Sequence, residues 1–364
     1  MLSEFRSNPR RILTRILMSP ADVRPQFDGF EVIGTFNPAA IEFEQGVVLL
    51  IRIVERPMET RDGFIALPYW DHETGSIAVA WRPLADVDVI DPRIVRIKSS
   101  GHLRLTFISW ILVAYSRDGL TIDRFGNSPF LPTTPYETFG VEDPRLAKLR
   151  DRFYFTYVAV SRHGIATALA STTDFQSFER HGIIFPPENK DVILFPEETD
   201  GHFWALHRPN PNAYFSQPEI WIARSPDLLH WGSHERLLGS EAAWASAKVG
   251  GGTPPIRTPR GWLSLYHGHI RPHREAQQAR EIGEYAAATL LQDLDDPRKI
   301  VGLSSGPVMR AEADFEKSGY LANIVFPTAL LRRGDYLDVY YGAADSVTGV
   351  TRYALDDLLA TVQS

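Results

Sequence analysis

Two carboxylates and a guanidinium stand together in Gly140-Val141-Glu142-Asp143-Pro144-Arg145, at the head of a strand-forming run. A carboxylic acid held beside a sugar can protonate a departing glycosidic oxygen, which makes Asp143 the candidate general acid. The plainer alternative is a turn-capping aspartate paired with Arg145, and Asp91-Pro92-Arg93 repeats the same tripeptide earlier in the chain. A second set of residues is cationic. Asn189-Lys190-Asp191 precedes the apolar run Val192–Phe195, and His207-Arg208-Pro209 follows it. Lys248 precedes Gly250-Gly251-Gly252, and Tyr266-His267-Gly268 comes next. Lys190, Arg208, Lys248 and His267 together would form an anion site, arginine offering a planar fork to phosphate oxygens and lysine a point charge. Each alone reads as a surface charge; their adjacent or repeat-equivalent positions in an acidic chain give the set its weight. The triple glycine lacks P-loop spacing and a following helix, which excludes a nucleotide-phosphate loop. No His-x-x-x-His stands on a predicted helix and no convincing Ser/His/Asp set appears, so neither a metal site nor a serine nucleophile is expected.

Such residues act only if the surrounding elements bring them together. Short β-branched and aromatic runs separated by Gly, Pro, Asp and Asn dominate, the pattern of an all-β chain. Five runs share a plan of a polar residue near proline, a strand, a Gly or charged turn, and an aromatic-rich return. They begin at Asn37-Pro38, Asp143-Pro144, Phe195-Pro196, Pro254-Pro255 and Phe326-Pro327. Their turns are Gln45-Gly46, Asp151-Arg152, Asp200-Gly201, Arg260-Gly261 and Arg333-Gly334. An Ala-Ser-Asp-aromatic element also recurs, with Ser116, Ser171 and Ser225 at intervals of 55 and 54 residues. Repeats of this length predict a five-bladed β-propeller, one domain over residues 1–364 with 1–20 as an N-terminal arm. Short helical segments are expected around Asn8–Met18 and Ala354–Val362; a β-sandwich is the alternative. In a propeller the innermost strands converge on a channel whose mouth binds ligands. Asn37, Arg52, Asp143, Arg145, His207, Arg208, His267 and Asp345 would meet there.

Composition narrows the classes. The net charge of −7 argues against nucleic-acid binding, which needs a basic face. There is no cysteine, so no disulfide or thiolate site exists, and a reducing cytoplasmic location is expected. Arg6, Arg10, Arg11 and Arg15 break the N-terminus too often for a signal peptide, and no apolar run is long enough for a membrane span. The 20 Phe, 13 Tyr and 8 Trp suit sugar stacking and a propeller core equally.

In order along the chain, Phe36-Asn37-Pro38-Ala39-Ala40, Gly140–Arg145, Asn189–Pro196, Leu206-His207-Arg208-Pro209, Ser225–Leu238, Lys248–Gly252, Gly261–Gly268, Asn323–Pro327 and Tyr341–Gly349 resemble the mannoside phosphorylases, glycoside hydrolase family 130. The stretch Asp22–Phe36 is most similar to the branch acting on β-1,2-linked mannobiose and oligomannosides. The resemblance implies a five-bladed propeller and inverting phosphorolysis, in which a β-mannoside and phosphate give α-mannose 1-phosphate and a shortened sugar. It implies that Asp143 is the proton donor, acting through the mannose 3-hydroxyl, and that Lys190, Arg208, Lys248 and His267 bind phosphate. Arg52, Asn37 and Asp345 match positions lining the mannose subsite; Glu142, Arg145, His207 and Asn323 complete the expected sugar-facing set. Phosphate is then a co-substrate, no other cofactor is required, and the N-terminal arm is compatible with a homo-oligomer. Two departures stand out: Glu235 replaces a basic residue, and Glu142 occupies a position that is tyrosine in some branches. They keep an inverting β-mannosidase as the alternative. A non-catalytic carbohydrate-binding propeller is disfavoured, because a neutral glycan gives no reason to gather four cations.

Overall fold

The computed structural model describes residues 9–210, 215–271 and 282–363. Strands dominate it, and five antiparallel hairpins organise it. The first pairs Phe30–Phe43 with Gly46–Pro57, and the second Gly140–Leu149 with Arg152–Ser161. The third pairs Asn189–Leu194 with Phe203–Pro209, and the fourth Lys248–Gly251 with Gly261–Ile270. The fifth pairs Val325–Arg333 with Tyr336–Ala343.

Further strands widen each hairpin. Ile108–Ser116 lies beside the first, Gly164–Thr172 and Glu179–Phe185 beside the second, and Ile220–Ser225 and Gly232–Leu238 beside the third. Glu284–Gln292 and Ile300–Ser304 extend the fourth, and Val347–Ala354 the fifth. Among the described residues a single parallel pair, Gly140 with Ser109, links the first array to the second. The recurring Ser-Asp element is the turn leaving the third strand. Asp118, Asp174 and Asp227 each accept two backbone N–H bonds from the residues that follow, and Ser116, Thr172 and Ser225 hold them.

Apolar side chains fill the space between successive arrays. Val48 and Leu50 share a core with Leu146 and Phe155; Ala147 and Leu149 share one with Leu194 and Ala205. Ile193 and Leu206 pack with Val249 and Trp262, and Leu263 and Leu265 with Leu330 and Val339. Leu331 and Tyr340 then pack with Leu49 and Ile51, so the fifth hairpin meets the first. Burying each sheet on both faces explains why these strands read as apolar runs rather than as a clean alternation.

The N-terminal segment corrects the helix expected around Asn8–Met18. Asn8 lies outside the described residues, and Leu13–Met18 is a strand, paired antiparallel with Val347–Ala354. An unpaired edge on Val347–Ala354 would leave a row of backbone groups unmet, and this outweighs local helix propensity. The arm is therefore part of a sheet at least from Leu13. The C-terminal helix is found, at Leu355–Thr361.

Between Gly46–Pro57 and Ile108–Ser116 the chain inserts two small sheets. One pairs Phe64–Asp71 with Ser76–Pro83, and the other joins Val87–Asp91, Ile94–Ile97 and Leu103–Leu105. Among the described residues no helix is long and apolar enough to cross a membrane.

Candidate active site

The first strands of three hairpins break register at the same level. The ladder skips between Phe36 and Ala39, between Glu142 and Arg145, and between Lys190 and Ile193. Each skip contains a residue with left-handed backbone: Asn37 (φ 51°), Asp143 (φ 49°) and Asp191 (φ 55°). Short polar side chains that bond locally tolerate this conformation best, and such bulges re-aim side chains out of the ladder. In the fourth hairpin Gly250 stands opposite His267. A Cβ there would lie 2.4 Å from Asp191 Oδ2 and 2.5 Å from His267 Cε1, so only glycine lets these two groups approach. Asp345 follows the fifth hairpin in a tight turn whose residues Ala344 and Asp345 have φ 50° and 47°.

These positions open into one cavity of about 280 Å³. On one side the carboxylate of Asp143 accepts bonds on a single oxygen from Asn37 Nδ2 (2.8 Å) and Arg52 Nη1 (2.9 Å). Arg52 Nη2 donates to Glu142 Oε1 (2.7 Å) and Nε to Ser109 Oγ (3.1 Å). The guanidinium lies 4.8 Å from the ring centroid of Phe36 and 5.7 Å from that of Phe107, so it is clamped by rings as well as by acids. Arg93, from the inserted sheets, reaches Asp345 Oδ2 at 3.2 Å.

The other side is cationic. Lys190, Arg208, Lys248 and His267 all face the cavity, with Asp191 behind them. Arg208 Nε is 2.7 Å and His267 Nε2 3.4 Å from Asp191 Oδ2, but the Arg208 approach is off the line a hydrogen bond needs and is a charge contact. Arg208 Nη1 and His267 Nδ1 are buried with no hydrogen-bond partner among the described residues. Tyr285 stands beside them, with Lys248 Nζ 5.0 Å from its ring centroid.

Crowding shows in the proton affinities. Burial, then Arg208 and Lys190, drives the Lys248 ammonium well below its ordinary value. Burial lowers His267 to about 3, with Arg208 and Lys248 adding to it against the pull of Asp191. Burial raises Tyr285 to about 12. Asp191 lies far below the usual carboxylate range because Arg208, His267 and Lys190 outweigh its burial. The carboxylates divide. Burial raises Glu142, assisted by the charge of Asp143, whereas for Asp143 the cations Arg52, Lys190 and Arg145 overcome burial and hold it low. Burial also raises Asp345, against the pull of Arg93 and Arg52.

Of the residues singled out in the sequence, Asn37, Arg52, Glu142, Asp143, Lys190, Arg208, Lys248, His267 and Asp345 line this cavity. Three do not, which corrects the expected convergence of His207 and Arg145 and the expected sugar-facing place of Asn323. His207 points to the opposite face of its strand from Arg208, stacked on Phe185 at 4.7 Å and bonded to Asn189 and His234. Arg145 is buried beneath the bulge, donating to the carbonyls of Gly252 (2.7 Å), Asp143 (3.0 Å) and Pro144 (3.2 Å). Asn323 is exposed; its neighbour Ile324 lines the wall instead. Asp191, Arg93, Tyr285 and Phe107 belong to the wall or its charge balance and were not selected from the sequence. Asp191 was hidden because no proline follows it: Phe195-Pro196, taken as the start of the third hairpin, lies at the far end of that strand. The repeated Asp-Pro-Arg of Asp91–Arg93 marks the residue type but not its place beside the cavity.

An acid-bearing wall facing a basic wall across a small cavity, on an all-β frame, defines a carbohydrate-active enzyme with an anion site. A family model described as beta-1,4-mannooligosaccharide phosphorylase matches residues 107–364. A beta-1,2-mannobiose phosphorylase of Listeria innocua serovar 6a is 39% identical over 338 residues, 91% of each chain. A 1,2-beta-oligomannan phosphorylase of Thermoanaerobacter sp. (strain X514) is 34% identical over 256 residues, 69% of this chain and 81% of the relative. The structure of the Listeria innocua enzyme with β-1,2-mannobiose superposes with a TM-score of 0.87 at 36% identity, covering 95% of this chain and 96% of that one. The chain belongs to glycoside hydrolase family 130, the family of the mannoside phosphorylases.

Proposed function

We propose that this enzyme cleaves short β-mannosides, β-1,2-mannobiose and its oligomers, with inorganic phosphate, inverting the anomeric centre to give α-mannose 1-phosphate. The observation that carries this is the cationic wall. Among the described residues Lys190, Arg208, Lys248 and His267 crowd one another around Asp191, and Arg208 Nη1 and the Nδ1 of His267 are buried without hydrogen-bond partners. A phosphate would pair the unpartnered Arg208 donor and offset the cation repulsion that adds to burial in depressing Lys248. The relatives named for β-1,2-mannosides support the linkage.

The chemistry follows from the two walls. Phosphate held on the cationic side attacks the anomeric carbon as the bond to the leaving oxygen breaks, and one displacement inverts the centre. Asp143 supplies the leaving oxygen's proton, relayed by the 3-hydroxyl of the mannose as in the family. Because phosphate is itself the nucleophile, no second carboxylate need activate water, and the reaction requires neither a metal nor an organic cofactor. Arg52, and then Lys190, hold Asp143 ionised against its burial. A phosphate dianion beside Lys190 offsets that charge, raises the affinity of Asp143 for its proton and so readies the acid when the nucleophile is in place. Asn37, Arg52, Glu142 and Asp345 hold the sugar, with Arg145 supporting the loop that carries Asp143.

The five hairpins and the five shared cores, the last returning to the first, support a five-bladed propeller forming one catalytic domain. The test is incubation of the purified protein with β-1,2-mannobiose, with and without phosphate, followed by assay for mannose 1-phosphate. Product formed only with phosphate is expected. Free mannose at equal rates in both reactions would instead establish a hydrolase.

A further inference from the structure

Arg93 enters the cavity from the inserted sheets, not from any of the five hairpins. The family model's match begins at residue 107, after this insertion, so Arg93 stands outside the matched region. Each of its three guanidinium nitrogens has a carboxylate partner. Nε lies 3.2 Å from Asp91 Oδ1 and Nη2 3.0 Å from Asp91 Oδ2, a two-point fork that fixes the plane. That leaves Nη1 to meet Asp345 Oδ2 at 3.2 Å.

The turn that carries Arg93 is anchored from two directions. The carbonyl of Pro92 accepts from Thr106 Oγ1 (2.7 Å) and from Tyr320 OH (2.9 Å), and Thr106 N donates to Arg93 O (3.0 Å). Tyr320 belongs to the segment before the fifth hairpin and itself lines the cavity. Asp345 receives no other hydrogen bond on its carboxylate from the described residues. One oxygen is thus held by Arg93 and the other faces the cavity.

We propose that Arg93 is a positioning residue that fixes Asp345, so that the free carboxylate oxygen accepts the hydroxyls of the bound mannoside. The inserted sheets thereby become part of the sugar site and set its selectivity. This rests on the mannoside function given above. A buried carboxylate that loses its cation rotates or takes up a proton, and either event removes an acceptor from the sugar. The charged groups facing Asp345 are Arg93, Arg52 and Asp143; without Arg93 the balance left is one cation against one anion.

The experiment compares wild type, Arg93→Met, Arg93→Lys, Asp345→Asn and the Arg93→Met/Asp345→Asn double variant. Calorimetric titration with β-1,2-mannobiose is run beside steady-state phosphorolysis. Arg93→Met is expected to weaken mannobiose binding and raise its KM about 10- to 100-fold, the worth of a hydrogen bond to a charged group, with the KM for phosphate unchanged. Arg93→Lys keeps the charge without the fork and should fall between the two. In the Asp345→Asn background Arg93→Met should cost nothing further. The acid-side loss of mannobiose binding should move to higher pH in Arg93→Met, since Asp345 then protonates more readily. Additive losses in the double variant, an unmoved pH limb, or a rise confined to the KM for phosphate would overturn the assignment. Wild type that binds mannobiose without turnover refutes phosphorolysis alone, and Arg93 is still judged from the titrations. Wild type that binds no mannobiose overturns both.

Discussion

Replacing Asp143 with asparagine tests the acid directly, and the surrounding contacts say what else should change. The amide oxygen still accepts from Asn37 Nδ2 and Arg52 Nη1, now 2.8 and 2.9 Å away, so the side chain keeps its orientation. Arg52 loses one counter-charge but retains Glu142 at 2.7 Å and the Ser109 hydroxyl. The fold should therefore lose less than the roughly 3–5 kcal/mol of a buried cation left with no partner at all. What disappears is the proton. General acid catalysis supplies about 10²–10⁴ in rate, equivalent to roughly 3–5.5 kcal/mol of barrier, so kcat on β-1,2-mannobiose should fall by that factor. The KM for phosphate should not rise, because the cationic wall keeps all its residues and, through Lys190, loses a competing negative charge. β-Mannosyl fluoride gives the control, since fluoride departs without needing a proton. With phosphate and this donor, Asp143→Asn should regain most of its deficit and still form α-mannose 1-phosphate. Substantial mannobiose turnover by the variant, or an equal loss on the fluoride, would refute Asp143 as proton donor.

Three further outcomes follow from the same geometry. Gly250→Ala places a methyl 2.4 Å from Asp191 Oδ2 and 2.5 Å from the His267 ring, so the cationic wall must spread; phosphate saturation should weaken while denaturation midpoints fall modestly. His207 is held near pKa 3 by burial, against about 6.5 in the unfolded chain, so its stabilisation is complete above pH 6.5 and is lost as pH falls toward 3. In urea titrations across that window, His207→Gln should flatten the decline by up to about 1.4 kcal/mol per pH unit, and an unchanged slope would contradict the burial argument. Arg11 Nη1 meets the fully buried Glu316 Oε1 at 2.7 Å, an oxygen that also accepts from Tyr341 OH at 2.5 Å. Arg11→Met should therefore destabilise the protein by about 3–5 kcal/mol in chemical denaturation while leaving the KM for phosphate intact.

Much of this was legible in the chain because turns and bulges have residue signatures. Gly46, Gly201, Gly261 and Gly334 mark the hairpin turns, and Asn37-Pro38 and Asp143-Pro144 mark two of the bulges. The third bulge escaped because Asp191 precedes valine, and a lone left-handed aspartate has no spacing to betray it. His207 was misplaced for a simpler reason. Neighbouring residues of a strand face opposite sides, so Arg208 in the cavity requires His207 outside it. Glu142 and Asp143 both reach the cavity only because the bulge suspends that rule. Arg93 was beyond reach for a different reason: the insertion has its own small core, of Leu67, Val87 and Val95, and nothing in its sequence states over which part of the molecule it folds back. The N-terminal strand depended likewise on a partner more than three hundred residues away.

That last pairing has a bearing on how the chain matures. Leu13–Met18 must wait for Val347–Ala354 to leave the ribosome, roughly 15–70 s at about 5–20 residues per second. Until then the face of the first hairpin that carries Leu49 and Ile51 lacks its final neighbour. The interval is one in which a nascent chain would need shielding by a chaperone, and in which a second nascent chain could donate the missing strand. Relocating the termini by circular permutation to the Asp200-Gly201 turn would make that last sheet contiguous in sequence. The permuted protein should then refold with less aggregation than the natural order at equal concentration.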